Sequence, residues 1–307
     1  MEDQPNDIMV SICCTAYNHE KFIEQTLEGF IMQQCNFKFE ILISDDASPD
    51  NTASIIKKYE DKYPDLFRVF YLKENQYSKG IKPLFNILFP AAKGKYIAIC
   101  EGDDYWTDPL KLQRQVDFLE ENLQYSCCFH RYLTLEENGI FKDELLPHIS
   151  VDTIINTSIF FRDWYTKTLT SLIRKSDLDK SKYYKYIDAR DTVLFYELLN
   201  VKQGICLNFK GGVYRKHLGG IWSLKSALGQ KKISTIVLEE IYSFNKKNLT
   251  LVNYIKKNIV FLITNQSFKS NLDLYNKLNT IYFKNFLIKQ QILKYKNSFL
   301  NMFNNKV

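Results

Sequence analysis

Several signatures that would quickly place a chain of 307 residues are missing. No Gly-x-Gly-x-x-Gly follows the first candidate strand, where Cys13-Cys14-Thr15-Ala16-Tyr17 stands instead, and no Walker A loop occurs. A Rossmann dehydrogenase and a P-loop nucleotidase are thereby excluded. No Cys-x-x-Cys is found among the seven cysteines, and Cys13-Cys14 and Cys127-Cys128 are adjacent pairs, so the thiols read as reduced and mainly buried. The His-x-x-x-His spacing of a zinc helix is absent. So is any recognised nucleic-acid motif, which leaves nucleic acid out as a partner. No segment approaches the roughly 20 apolar residues of a membrane-spanning helix, and Val260-Phe261-Leu262-Ile263 is far too short. The first residues, Met1 to Asp7, are acidic and polar where a leader would be apolar, so a cytoplasmic protein is expected.

What is present is an alternation of apolar runs with amphipathic stretches. At 45% apolar content the chain can bury a large core. Val10 to Ala16, Phe39 to Ser44, Phe67 to Leu72 and Tyr96 to Cys100 read as strands buried on both faces. Between them, His19 to Gln34, Asn51 to Asp61 and Lys82 to Ala92 show helical spacing, the first with Asn18 available as N-cap. Alternation of this kind implies right-handed crossovers and a mostly parallel sheet. Polar clusters then gather at one sheet edge, where open α/β folds bind ligands. Three such clusters stand at strand ends: Thr15-Ala16-Tyr17-Asn18, Asp45-Asp46-Ala47-Ser48 and Glu101-Gly102-Asp103-Asp104-Tyr105-Trp106. Clustered carboxylates without a neighbouring Lys or Arg suit a hard divalent cation, Mg²⁺ or Mn²⁺. Asp50 fits the cap of the helix after Pro49, and Asp108-Pro109 reads as a helix start.

The order and spacing of these three clusters resemble family 2 glycosyltransferases of the bacterial surface-polysaccharide type, which have the GT-A fold. The resemblance covers residues 8 to about 223 and implies a catalytic domain over 1–225, with a nucleotide-sugar half over about 8–106 and an acceptor half over about 107–225. It implies a metal-assisted, inverting transfer from a nucleotide diphosphate sugar, UDP-linked, to a glycan or lipid-linked glycan. Asp104 would hold the metal, and Asp103 would sit at the ribose or metal. Thr15, Tyr17, Asn18, Asp45 and Asp46 would contact base and ribose, and Lys79 would reach the diphosphate. Trp106 would lie toward the diphosphate or acceptor. Thr168 to Arg174 resembles a hydroxyl-rich strand lining the acceptor pocket.

Asp191 stands just before a helix carrying Val193, Leu194, Glu197 and Leu198, where the family places its general base, with Asp188 as the alternative. Either could also serve as an N-cap. Tyr214-Arg215-Lys216-His217-Leu218-Gly219-Gly220 resembles a segment that closes the catalytic domain in a bacterial subgroup. It offers His217 to the metal or diphosphate and Arg215 to phosphate charge. His19, His130 and His148 have no comparable context. A catalytically silent nucleotide-sugar-binding or scaffold protein of the same fold is the rival reading.

Beyond residue 225 a basic, helical extension (226–307) is expected. From Lys231 to Val307 there are thirteen lysines and three acids (Glu239, Glu240, Asp273), a charge of +10 that leaves −4 for residues 1–230 of the overall +6. Basic amphipathic helices suit peripheral contact with an anionic membrane, although helices packed on the domain or on a second subunit share the pattern.

Overall fold

The computed structural model describes residues 8–143, 151–163, 167–178, 185–186, 190–220, 222, 225–246, 248–265, 267–278 and 280–304. Two compact units divide the chain: Met1–Ser181 with Leu194–Gly219, and Lys182–Val193 with Gly220–Val307. Asp191 is thus grouped with the C-terminal helices.

The first unit is a curled sheet flanked by helices. It opens with β1 (Val10–Ala16), α1 (Ile23–Ile31), β2 (Phe39–Asp45), α2 (Thr52–Lys62) and β3 (Phe67–Tyr71). A short helical stretch over Leu84–Leu88 runs into α3 (Phe89–Ala91), succeeded by β4 (Tyr96–Ile99), β5 (Tyr105–Trp106) and α4 (Lys111–Glu121). Then come β6 (Tyr125–Leu135), β7 (Phe141–Asp143), β8 (Thr153–Ile155), α5 (Thr157–Asp163), β9 (Leu172–Arg174), α6 (Asp191–Val201) and β10 (Gln203–Arg215). The strand order is β3-β2-β1-β4-β9-β6-β10-β5, with β7 on β6 and β8 on β10. β3, β2, β1 and β4 are mutually parallel, so their C-terminal ends share one edge. Past β4 the sheet becomes mixed: β9 is antiparallel to both β4 and β6, and only β10 with β6 restores parallel pairing.

Burial explains the strand composition. Every residue of β1 except Thr15 is buried, as helices on both faces require. Ile12, Cys14, Ile41, Ile43 and Ala98 meet Ile23, Leu27 and Phe30 of α1 in one core cluster. All seven cysteines are free thiols, six of them buried, and burial pushes Cys35 up to about 11.

The helix starts depart from the sequence pattern at one informative place. Asn18 does not cap α1; it sits at φ 59°, in the left-handed region that Asn tolerates, and its N–H donates to Ser48 Oγ (3.0 Å). The N–H groups of Phe22 and Ile23 both reach His19 O, a turn that delays the helix to Ile23. The His19 and Glu20 N–H groups donate to Thr52 Oγ1 (2.8 Å) and Asp50 Oδ2 (2.9 Å), tying the β1 loop to the β2 loop. Asp50 does act as a capping acceptor, taking the Thr52 N–H on Oδ1 at 3.0 Å.

The second unit contains α7 (Ala227–Phe244), α8 (Leu249–Asn265), α9 (Phe268–Lys277) and α10 (Ile281–Asn304). Ser226 and Ser267 cap α7 and α9 with their hydroxyl oxygens. Leu238, Ile241, Ile255, Ile259, Leu262, Leu274, Phe283 and Leu287 are buried. None of the described helices is long and apolar enough to cross a membrane.

Candidate active site

The loop after β4 is built against β1 before it does anything chemical. Cys100 N–H donates to Cys13 O (3.2 Å) and Gly102 N–H to Thr15 O (2.9 Å), carrying the β1/β4 pairing past the strand end. A Cβ on Gly102 would lie 2.8 Å from His19 Nδ1 and 2.9 Å from Ile23 Cδ1, so a larger residue would force these side chains to shift. From α1 the Thr26 hydroxyl lies 3.0 Å from Gly102 O and 2.6 Å from Asp104 O. Glu101 Oε2 accepts from Thr168 Oγ1 at 2.5 Å, which connects the hydroxyl-rich segment to the acidic loop.

The two aspartates of this loop face different surroundings. Asp104 is buried, and its Oδ1 accepts the Arg215 N–H at 2.8 Å, which anchors the end of β10. Burial, reinforced by the charges of Asp103 and Glu101, pushes its carboxyl well above the usual range. Asp103 keeps 22% of its side chain exposed and turns Oδ2 to two imidazoles: His217 Nε2 at 3.1 Å and His19 Nε2 at 3.7 Å. Burial opposes its charge, but the His217 hydrogen bond and the fields of His19 and His217 outweigh it and hold the group below the usual range. Asp104, expected to hold the metal, thus commits its Oδ1 to the Arg215 N–H. Asp103 is the acid turned toward nitrogen donors.

Arg215 holds this arrangement together. Its Nη1 donates to Asp103 O (2.6 Å), its Nη2 bonds Gln25 Oε1, and the guanidinium lies over the rings of Tyr105 (4.2 Å) and Phe22 (5.3 Å). Its donors thus serve the loop backbone and α1. His217 packs on Phe22 at a tilt of 51° with ring centroids 4.5 Å apart, and its Nδ1 accepts from Gly219 N–H (3.2 Å). That acceptor role leaves Nε2 as the protonated nitrogen facing Asp103 in this tautomer.

The β2 loop repeats the division between two acids. Asp46 accepts the Gln76 N–H on Oδ1 (2.7 Å) and the Tyr77 N–H on Oδ2 (3.0 Å), so its carboxylate fixes the turn over Tyr77–Lys79. Asp45 takes the Ser48 N–H on Oδ2 (3.2 Å), whereas its Oδ1 is buried with no hydrogen-bond partner among the described residues. Of the other expected residues, Thr15 and Tyr17 stand at the end of β1, Tyr17 exposed. Lys79 pairs with Glu74 (2.6 Å) on the surface. Trp106 belongs to the core: its Nε1 donates to Leu169 O (2.8 Å), and its ring packs on Phe30 and beneath the buried Lys111. Asp191 opens α6, with Oδ1 accepting the Thr192 N–H at 2.7 Å. Asp188 lies outside the described residues.

A cavity of about 650 Å³ opens beside His217 and Arg215, walled by Asn18, Lys21, Phe22 and Glu136. Among the described residues, no group of three or more His, Cys, Asp or Glu side chains is already arranged to hold a metal ion. Asp103 instead offers one oxygen, and His217 would add Nε2 only on moving its proton to Nδ1 and releasing the Gly219 N–H. That partial set fits a Mn²⁺ or Mg²⁺ whose remaining ligands are waters and substrate phosphates.

Sequence reasoning passed over His19, Thr26, Gln25 and Phe22. His19 directly follows the Tyr17-Asn18 pair, and that adjacency was its only signal. The contacts of Thr26 and Gln25 span 76 to 190 residues and leave no local pattern.

A parallel half-sheet whose strand ends carry these acids, continued by a mixed half, defines a GT-A nucleotide-sugar-binding fold. The model for glycosyl transferase family 2 matches residues 11–181. The chain belongs to that family. A Mycobacterium tuberculosis (strain H37Rv) protein without assigned activity is 34% identical over 219 residues, 69% of this chain and 60% of the relative. This chain therefore spans only about three-fifths of that relative's length. The Escherichia coli UDP-Glc:alpha-D-GlcNAc-diphosphoundecaprenol beta-1,3-glucosyltransferase WfaP is 30% identical over 218 residues, 69% of this chain and 79% of its own. The crystal structure of Staphylococcus aureus TarS residues 1–349 with UDP-GlcNAc superposes with a TM-score of 0.65 at 18% identity, covering 88% of this chain and 80% of that one, which establishes the fold.

Proposed function

We propose that this chain moves one sugar, with inversion at the anomeric carbon, from a UDP-linked donor to a hydroxyl of a lipid-linked glycan in surface-polysaccharide synthesis. The observation that carries the reading is Asp103, a carboxylate held ionised beside two imidazoles at the edge where β1, β2 and β4 end. The related Escherichia coli enzyme is named for UDP-Glc and a diphosphoundecaprenol-linked acceptor, and TarS was crystallised with UDP-GlcNAc, which favours UDP.

In this reading Tyr17 and the unpartnered Oδ1 of Asp45 receive the base and ribose, with Thr15 and Asn18 forming the adjoining backbone. Asp103 and His217 would hold Mn²⁺ or Mg²⁺, which when bound neutralises charge developing on the departing diphosphate. Arg215 positions Asp103 through its main chain. Asp104 shapes the loop without binding metal. Asp191 removes the proton from the acceptor hydroxyl; that oxygen bonds the anomeric carbon as the bond to the diphosphate oxygen breaks, and the electron pair leaves with the nucleotide. Attack opposite the leaving group inverts the configuration. Because the acceptor is lipid-linked, the chain would work at an anionic membrane, met by its basic C-terminal helices.

Calorimetric binding of UDP, GDP, CDP and dTDP, each with and without Mn²⁺, tests the donor site. UDP should bind only with metal, and Asp103→Ala should abolish this while Asp104→Asn keeps it. Loss in Asp104→Asn alone would return the metal to Asp104. Asp191→Asn should bind donor normally and lose transfer by about 100-fold or more, the scale of removing a general base. Near-normal transfer would move the base elsewhere, and retained configuration in the product would overturn inversion. Binding by the wild type without turnover on any lipid-linked acceptor would favour the silent scaffold.

A further inference from the structure

The second unit carries an exposed helix face that includes none of the residues proposed for donor, metal or base. α10 has lysines at 284, 289, 294 and 296 and no acid in its 24 residues. One side of the helix is buried: Phe283, Leu287 and Gln291 face inward, Gln291 accepts a hydrogen bond from Asn271 of α9 (3.0 Å), and Lys294 donates to Ile263 O of α8 (2.6 Å). The opposite side exposes Ile281 (69%), Ile288 (42%) and Ile292 (62%), whose spacings of seven and four set them in one stripe. Tyr282 and Leu293 are also exposed, beyond Lys289 around the helix. In the helical projection Lys284 lies on one flank of the isoleucines and Lys289 on the other.

We propose that this face of α10 docks on an anionic lipid bilayer, lying in the headgroup plane with the isoleucines inserted and the flanking lysines reaching phosphates. Apolar residues in the centre with cations at both margins are what an interfacial helix presents, since lysine stems lie along the apolar surface while their ammonium groups stay at headgroup level. The charge of the unit agrees. Of its acids after residue 230, Glu239 and Glu240 are buried and Asp273 is paired with Lys232 and Lys277, so the exposed surface near α10 has little negative charge to repel anionic lipid. A second copy of the chain is the poorer occupant. A two-fold contact through the same stripe would bring the lysines of two copies into one interface with no acid on either helix to pair them. Membrane docking rests on the proposed lipid-linked acceptor only for its biological purpose, because it requires neither donor nor turnover.

Flotation of the full chain with vesicles tests the surface without any sugar substrate. Vesicles rich in phosphatidylglycerol should carry the protein at low ionic strength, pure phosphatidylcholine should not, and salt should weaken the binding as it screens the lysines. The double variant I288E/I292E, on solvent-exposed positions, should lose vesicle binding more than tenfold while keeping its melting temperature and its metal-dependent UDP binding. Lys289→Glu should lose less, in a salt-sensitive manner. Equal binding to both vesicle types, or unchanged binding by I288E/I292E, would overturn the proposal. So would a wild-type dimer that ignores vesicles and that I288E/I292E converts to monomer, which would give the face to a second copy. Vesicle binding without transfer would leave this surface standing and sink the enzymatic reading; transfer without vesicle binding would do the reverse.

Discussion

Asp45-Asp46 after β2 and Asp103-Asp104 after β4 are two acid pairs at the same sheet edge, and comparison shows the same division within each. The second member accepts backbone N–H groups: Asp46 takes Gln76 and Tyr77 on its two oxygens, and Asp104 takes Arg215 on Oδ1. The first keeps an oxygen uncommitted to backbone: Oδ1 of Asp45 has no partner among the described residues, and Oδ2 of Asp103 faces imidazoles. Side-chain chemistry cannot separate the two members, since both are aspartates. The role is decided by which carboxylate the next loop or strand reaches with its N–H groups. A paired-acid motif can therefore divide its backbone contacts unevenly between two identical side chains.

The largest effect that could break this comparison is in the β4 loop. Asp103→Asn should lower metal-dependent transfer by about 100-fold or more, roughly 2.7 kcal/mol of barrier or beyond, with little change in thermal stability. Asp104→Asn keeps an oxygen for the Arg215 N–H and should remain active, whereas Asp104→Ala leaves that buried donor unpaired at a cost of about 1–3 kcal/mol. Steady-state rates and melting curves of the three variants decide the matter. If Asp104→Asn is dead and Asp103→Asn active, the roles are reversed.

In the β2 loop the same contrast should appear mainly in stability. Asp46→Ala deprives two N–H groups of a charged acceptor and should cost about 2–3 kcal/mol, read as a lower denaturation midpoint. Asp45→Ala should change stability less and weaken UDP binding more. Equal losses of stability and affinity in both variants would erase the distinction.

Much of this edge was legible in sequence, and the reason is local. The continuous apolar runs at Val10, Phe39 and Tyr96 mark strands buried on both faces, and the residues next in the chain must emerge at the strand ends. The three clusters and a mostly parallel sheet are visible on that ground, and the GT-A architecture is what their resemblance to family 2 glycosyltransferases implies. That Lys79 is matched by Glu74, that Trp106 is core, and that Asp104 turns inward are not, because each depends on a partner brought up by the tertiary fold. Asn18 shows the same limit at short range: a residue type suited to capping is instead used for its tolerance of a left-handed backbone.

Gly102 sharpens the comparison from the backbone side. The β4 loop must pass so close to His19 and Ile23 that a methyl group would sit under 3 Å from both. Gly102→Ala should therefore cost about 1–3 kcal/mol, the scale of overpacking, and should displace Asp103 from His217, so that UDP affinity falls along with stability. A variant of normal stability that still loses affinity would place the constraint on substrate approach instead of packing.

The smallest of these effects belongs to Thr26, which reaches the acidic loop from α1. Its hydroxyl stands between Gly102 O and Asp104 O, the carbonyls on either side of Asp103. Thr26→Val keeps the branched shape and deletes only the donor, so the expected loss is about 1 kcal/mol, that of one buried hydrogen bond. Thr26→Ser restores the donor without the methyl and should recover most of the lost metal-dependent UDP affinity. If Thr26→Ser is as impaired as Thr26→Val, packing by the methyl group, and not the hydrogen bond, holds the loop, and the β4 acids would be positioned by the core alone.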